Sequence, residues 1–109
     1  MINFEDQINQ FISEYNVNSH EQAKSTVLDF IKKDPNNIKL LQKVGLLFVQ
    51  NKQLKDAIFI FKKILEKDFN STDTLINLAL VYYELNKFDE ALKYLMKAER
   101  LGMQQSEVS

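Results

Sequence analysis

Residues 72–102 read TDTLINLALVYYELNKFDEALKYLMKAERLG, and this stretch decides the fold. It contains two runs of apolar residues at helical spacing, separated by the short break at residues 85–87. The same pattern occurs 34 residues earlier, where residues 38–69 read IKLLQKVGLLFVQNKQLKDAIFIFKKILEKDF, and Leu75 then corresponds to Leu41. Repetition at such a period indicates helical hairpins that stack on one another.

Two further helices are predicted before the repeating stretches. Apolar residues at i, i+4, i+7, i+8 and i+11 mark one stripe of a helix over residues 3–16. A capping box at Ser19 and Gln22 opens the next helix. That helix ends before Asp34, because the proline that follows disfavours helical geometry there. Together with the four helices of residues 38–102, these predict an all-α architecture of six antiparallel helices in three hairpins.

The later helices carry their own start and stop signals. Asn36 or Asn37 is expected to cap the third helix, and Asn70 or Ser71 the fifth. The sixth helix is predicted to end at Gly102, in the left-handed conformation that glycine adopts at helix ends.

Composition and charge exclude several classes of function. The chain has 109 residues, 45% hydrophobic and 27% charged, which is typical of one globular domain. Its net charge is −1, so the excess of Lys and Arg that nucleic-acid binding requires is absent. No apolar run reaches the length of about 18 residues that membrane insertion needs. The absence of cysteine, and an N-terminal MINFEDQINQ unlike a secretory leader, favour the cytoplasm.

No residue pattern indicates catalysis, a cofactor or a metal. The sequence lacks a glycine-rich phosphate loop, a nucleophile motif and a cysteine. His20 is the only histidine and follows Ser19, so it is interpreted as part of a solvated helix start. We therefore predict that the chain is not an enzyme and holds no cofactor.

The repeating stretches resemble tetratricopeptide repeats, whose pattern is W-x2-L-G-x2-Y, then A-x3-F, then P. Gly45 and Ala79 occupy the small position of the first helix, and Ala57 and Ala91 that of the second. These small residues let the two helices of a hairpin approach closely, while neighbouring aromatic residues fill the space beside them. The resemblance implies a short right-handed α-solenoid of three stacked hairpins.

The resemblance also suggests how a single domain at residues 1–105 is divided. It consists of three repeats, at residues 4–37, 38–71 and 72–105. The first is degenerate, because Phe11 stands where a small residue is expected, and terminal repeats are often atypical. Residues 106–109 are a short tail or the start of a truncated fourth repeat.

A concave face lined by the first helix of each repeat is a further implication of the resemblance. The face would bind an extended or helical apolar peptide along Ile12, Leu46 and Leu80, with Tyr15 and Tyr83 as aromatic anchors. Two alternatives stay open, since these residues could instead bury in a dimer or touch one another within a tightly curved superhelix. The other candidate groove residues are Ile8, Lys39, Gln42, Lys43, Val49, Asp73, Ile76, Asn77 and Glu84.

Some tetratricopeptide repeat proteins bind the C-terminal carboxylate of chaperone proteins through Lys, Arg and Asn residues on this face. The corresponding residues here are Ile8, Ile12, Lys43, Asp73 and Asn77. Only Lys43 is cationic, and Asp73 would repel a carboxylate. No such carboxylate clamp is predicted.

Two further apolar sets are candidates for contacts with another surface. Leu92, Leu95 and Met96 lie on the last helix, where they would contact a next repeat or a second copy of the chain. Phe59 is expected to point outward, because four successive apolar residues cannot share one side of a helix. It is either part of a partner surface or an isolated exposed aromatic residue.

These features predict a protein-interaction module, of chaperone or scaffold type, whose partner is a protein or peptide. Three-repeat secretion chaperones of bacteria are similar in size and in their apolar groove. The alternative is a self-associating structural or regulatory segment of a longer tetratricopeptide repeat protein, or of an enzyme that contains such repeats. A homodimer is one form of that alternative.

Overall fold

The computed structural model describes residues 25, 28–29, 31–34 and 36–108, with side-chain surroundings through Met103, and these comprise the end of one helix and four further helices. None of these residues lies in a strand, which confirms the predicted all-α class. Residues 31–33 are helical and Asp34 is not, as the proline that follows requires. The helices are α1 (Ile38–Gln50), α2 (Leu54–Lys67), α3 (Thr72–Glu84) and α4 (Phe88–Val108).

Most of the predicted first hairpin falls outside the described residues. Ile8, Ile12, Tyr15 and His20 therefore lie outside the part of the chain that the structure describes. The fold and the site below are built from α1 to α4.

The helix starts follow the capping residues expected from the sequence. The Asn37 side chain accepts a hydrogen bond from the backbone N–H of Leu40 at 3.1 Å, and α1 begins one residue after Asn37. Ser71 is the residue before α3, but its hydroxyl pairs with that of Thr74 at 2.8 Å instead of with a backbone N–H. Thr74 is fully buried, so this pair satisfies a hydroxyl that the core would otherwise isolate from water.

The turn after α1 and the turn after α3 match residue for residue. Lys52 and Asn86, which are 34 positions apart, both adopt the left-handed backbone conformation, with φ of 61° and 62°. In each turn the N–H of the following residue donates to the carbonyl five positions earlier, at 2.8 Å and 2.9 Å. The period inferred from side-chain character is thus also a period of backbone geometry.

Each hairpin is held by the apolar faces of its two helices, and α2 also packs against α3, which joins the hairpins. In the first hairpin Gly45 lies against Phe61, since a Cβ built on Gly45 would come within 2.9 Å of ring atoms Cδ1 and Cζ. A small residue is therefore needed at this position, as predicted. The buried apolar residues of the described part are Leu40, Leu41, Val44, Phe48, Ala57, Ile60, Phe61, Ile64, Leu75, Leu78, Ala79, Val81, Tyr82, Ala91 and Ala98.

The prediction that the last helix ends at Gly102 is wrong. The helix continues to Val108, and Gly102 does not have a positive φ. A glycine inside a helix costs about 1 kcal/mol relative to alanine, which weakens a helix but does not end it. The residues that follow, Met103 to Val108, include no proline to force the chain out of the helix.

The buried side of α2 is wider than the sequence pattern indicated. Ile60 is buried, and Ile58 and Leu65 on either side of it in sequence are half-buried. The reason is that α2 contacts both α1 and α3, so two sides of the helix are covered. Phe59 remains exposed, as predicted.

Candidate peptide-binding surface

The first helices of the two hairpins, α1 and α3, contribute to one shared surface. Side chains from both line a depression of about 300 Å³. Leu80 and Tyr83 lie on the next turns of the same side of α3, at the i+4 and i+7 positions from Ile76. We call this surface the groove face and define it by Gln42, Leu46, Asp73, Ile76, Asn77, Leu80 and Tyr83.

Helix geometry explains why these apolar side chains face solvent. In α1, Val44 and Phe48 point into the hairpin core. Leu46 lies two residues from each of them. Two residues correspond to a rotation of about 200° around the helix axis, so the Leu46 side chain points away from the hairpin core. Leu46 is 44% exposed, and Leu80, 34 positions later, is 57% exposed. Both leucines of the predicted row are therefore open to solvent in the chain alone.

Val49 departs from the predicted lining. It is half-buried and packs against the core cluster. Tyr83, its counterpart on α3, is well exposed. The apolar side of the groove face therefore comes mainly from Leu46, Ile76, Leu80 and Tyr83.

The predicted polar residues lie around this apolar row. Lys39 and Lys43 are exposed one turn apart on α1, and Asp73 and Asn77 line the depression itself. With an aspartate at the depression, a bound carboxylate would meet like charge.

An ion pair connects the two hairpins at one end of this surface. Lys52 Nζ lies 3.8 Å from Glu84 Oε2, which links the turn after α1 to the last residue of α3. Both side chains are largely solvated, so the pair contributes at most about 1 kcal/mol. The sequence pattern placed Glu84 on the polar rim but did not pair it with Lys52, because that contact depends on the angle at which the hairpins stack.

The exposed Tyr83 ring is oriented by a neighbour. It meets the Phe88 ring edge to face, with the centroids 5.3 Å apart and the planes at 65°. Such aromatic pairs are worth about 0.5–1.5 kcal/mol beyond their buried area. Tyr83 is therefore held in place as an aromatic anchor would be, and Phe88 is a contributor that the sequence pattern did not assign to this surface.

Comparison with known families agrees with the stacked hairpins. A sequence model of the tetratricopeptide repeat matches residues 48–109, which is more than half of the chain. The chain belongs to the tetratricopeptide repeat family. Family membership accounts for the period, the all-α class and the small residues between paired helices.

Solved structures of MamA have a similar fold. The structure named "MamA MSR-1 C2" aligns with a TM-score of 0.73 at 19% identity and covers 94% of this chain and 59% of its own. "Crystal structure of MamA" gives 0.73 at 17% identity, covering 95% and 61%, and "MamA AMB-1 P212121" gives 0.72 at 20% identity, covering 94% and 60%. At these identities the likeness is one of fold, and the chain spans about three fifths of the length of these structures. No curated protein sequence matches the chain.

The second apolar set predicted for this tetratricopeptide repeat chain lies on α4. Leu92, Leu95 and Met96 are all exposed there, and we call them the outer stripe. Phe59 lies on α2 with the Lys63 ammonium 5.1 Å from its ring centroid. The cation covers part of this ring, which fits an isolated exposed aromatic residue.

In residues 25, 28–29, 31–34 and 36–108, no group of three or more His, Cys, Asp or Glu side chains converges in a way that could hold a metal ion. Among α1 to α4, none has both the length and the apolar character needed to cross a bilayer.

Proposed function

We propose that this tetratricopeptide repeat chain is a protein-interaction module that binds an apolar peptide segment on the groove face. The observation that carries the proposal is the depression between α1 and α3, where Leu46 and Ile76 flank Asp73 and Asn77. Apolar side chains supply the binding energy of such a surface, and the few polar groups among them fix the register of the guest.

The geometry suits a guest that runs across the two helices. Leu46 lies on α1 and Leu80 on α3, so a segment that touches both must cross the hairpin boundary. Tyr83 provides a rigid aromatic contact beside Leu80 at low cost in side-chain entropy. Burial contributes about 25 cal/mol per Å² of apolar area, while association costs about 4–15 kcal/mol, so we expect micromolar affinity for a short guest.

The role proposed is that of a scaffold or chaperone-like binder rather than a catalyst, in the cytoplasm. Tetratricopeptide repeats are generally binding modules, and the proposal assigns no catalytic residue. Selection from a phage-displayed library of random peptides of about twelve residues would test it directly. Peptides enriched in Leu, Ile and aromatic residues should be selected, and their affinity is then measured by fluorescence anisotropy.

A matched pair of variants makes this experiment discriminating. Leu46→Asp should weaken binding of the selected peptides several-fold, and adding Leu80→Asp should bring the loss to about tenfold or more, because each change places a charge in the apolar row. Phe59→Asp changes an equally exposed apolar residue on another helix, since Phe59 is 43% and Leu46 44% exposed. If both variants, Leu46→Asp and Phe59→Asp, lose affinity for the selected peptides equally, or if no apolar peptide is selected, the proposal that the groove face binds peptides is refuted.

Self-association through the outer stripe is the second candidate function. Leu92, Leu95 and Met96 form one apolar row on α4, and burial between two copies would remove it from water. Light scattering over a range of concentrations tests this, because a mass that stays at one chain excludes a dimer. In a longer tetratricopeptide repeat protein, or an enzyme that contains such repeats, the same row would contact the next element instead.

A further inference from the structure

A second cleft lies on the other side of the hairpins, between α2 and α4. It has a volume of about 640 Å³ and shares no lining residue with the groove-face depression. Four of its lining side chains are cationic, Lys62 from α2 and Lys93, Lys97 and Arg100 from α4. Glu66 is the single acidic residue among those that line it. We call this feature the basic cleft.

The positive charge is local and contrasts with the rest of the chain. The chain has 14 basic and 15 acidic residues in total. The cleft holds four of the basic and one of the acidic residues, which leaves ten basic and fourteen acidic residues elsewhere. The charge of the cleft would therefore attract an anionic ligand. The ligand would have to be small, because the residues outside the cleft carry a net negative charge that would repel a larger anion.

The cations of the cleft form no ion pair with a carboxylate of the described residues, although Glu90 lies near enough to Lys62 to act on it electrostatically. Among residues 36–103, none of the four lies within ion-pair distance of a described carboxylate, whereas Lys52 and Glu84 do pair. Lys93 and Lys97 are one helical turn apart, a spacing at which like charges repel each other and destabilise a helix. An anionic ligand would relieve this repulsion.

The cleft also has an apolar and aromatic lining, which we call its floor and which consists of the half-buried Leu65 and Tyr94 and the exposed Phe69. Leu65 and Phe69 come from α2 and the residues after it, and Tyr94 comes from α4. The Tyr94 ring stacks on Tyr82, with centroids 5.6 Å apart and planes within 4°, so it forms a fixed platform. An inorganic anion would leave this apolar floor unused.

Protonation keeps the cleft cationic over the physiological range. The Tyr82 side chain raises the pKa of Lys62, whose ammonium lies 5.9 Å from the Tyr82 ring centroid. Burial raises the pKa of the Tyr94 phenol, so that its hydroxyl remains a neutral hydrogen-bond donor.

The spacing of the cations indicates the size of the ligand. Lys93, Lys97 and Arg100 extend over about 10 Å along α4 at 1.5 Å per residue. That length corresponds to about three residues of an extended chain at about 3.3 Å each. We infer that the basic cleft is a second binding site, for a short acidic peptide segment that carries an aromatic side chain between its carboxylates.

The probe for this site is a fluorescein-labelled peptide of sequence DEFDE with blocked ends, measured by fluorescence anisotropy. Lys93→Glu combined with Lys97→Glu should weaken binding by about tenfold, since two attractive charges become repulsive. The control, Lys32→Glu combined with Lys55→Glu, makes the same change in net charge at exposed lysines outside the cleft and should alter binding less than about twofold. Circular dichroism shows whether each variant is folded, and the single change Lys97→Glu serves if the double variant is not.

Two further comparisons distinguish binding in the basic cleft from nonspecific charge attraction and from binding on the groove face. The peptide DEADE should bind more weakly than DEFDE, because it lacks the ring that contacts the floor, and Leu46→Asp with Leu80→Asp should leave DEFDE binding intact. No binding of DEFDE, equal loss in the two lysine pairs, or tighter binding of a single-stranded oligonucleotide or anionic vesicles would overturn the inference. Because the groove variants act on a different face, failure here leaves the proposed function standing, and the converse also holds.

Discussion

Gly45 and Phe61 form a pair in which the absence of one side chain makes room for the other. A Cβ on Gly45 would lie 2.9 Å from Phe61 Cδ1 and Cζ, and Phe61 is completely buried. One repeat later the corresponding residues are Ala79, which is larger than Gly45, and Leu95, which is smaller than Phe61. Leu95 is 45% exposed, so the tight contact between these two positions belongs to the first hairpin.

This relationship predicts the effect of exchanging one hairpin's pair for the other's. Gly45→Ala gains about 1 kcal/mol in helix propensity but overpacks a buried contact, which costs about 1–3 kcal/mol. We expect a net loss of about 1 kcal/mol, or about 4 °C in melting temperature. Phe61→Leu alone leaves a cavity and costs about 1–2 kcal/mol. The double variant should be more stable than the sum predicts, and strictly additive losses in urea unfolding would show that the two residues do not compete for space.

The left-handed turn residues predict a stabilising substitution. Lys52 and Asn86 share a φ near 60°, but only asparagine tolerates this conformation readily. Lys52→Asn should therefore stabilise the chain by up to about 1 kcal/mol, even though it removes the exposed pair with Glu84, which is worth at most about that much. Lys52→Ala removes the same charge without the conformational gain and serves as the control. A Lys52→Asn protein that melts no higher than Lys52→Ala would contradict the prediction.

Adjacent residues on α2 should differ sharply in their contribution to stability. Ile60 is 2% exposed and lies in the core, whereas Phe59 is 43% exposed. Ile60→Ala should cost about 2–5 kcal/mol, because it leaves a cavity between α1, α2 and α3. Phe59→Ala should cost less than about 1 kcal/mol despite deleting the larger side chain. Chemical denaturation of both variants measures the difference, and similar losses would place Phe59 in an interface within the chain.

These particular residues also show how far the sequence alone could be interpreted. The helix starts after Asn37 and Ser71 follow from capping preferences, and the exposure of Leu46 and Leu80 follows from helical spacing. Both signals are local, because the residues that carry them are close together in the sequence. Ile60 could not be assigned in this way, because its burial depends on α3 lying against α2. The prediction at Gly102 was wrong because glycine permits a helix end without requiring one.

The basic cleft was beyond sequence reasoning for the same reason as Ile60. Lys62 is exposed, and nothing in its local sequence distinguishes it from other solvated lysines. Its neighbours across the cleft, Lys93, Lys97 and Arg100, are distant in sequence and come together with it only through the stacking of the hairpins. Only the relative placement of α2 and α4 reveals that these charges share one cleft.

The cluster around Tyr94 predicts that stability decreases at alkaline pH. Burial raises the pKa of Tyr94 above its ordinary 10.0, and the Tyr82 side chain raises the pKa of Lys62 above 10.5. The folded chain therefore keeps both protons after the unfolded chain has lost them. The stabilisation is complete below the unfolded values and is lost as the pH rises through the folded values, so the urea midpoint should fall above about pH 10. Tyr94→Phe removes one of the two groups and should make this fall shallower, and it should also remove a tyrosine ionisation above pH 10 from the absorbance titration of the wild-type protein. A Tyr94→Phe curve parallel to that of the wild type would show that the phenol ionises equally easily in both states.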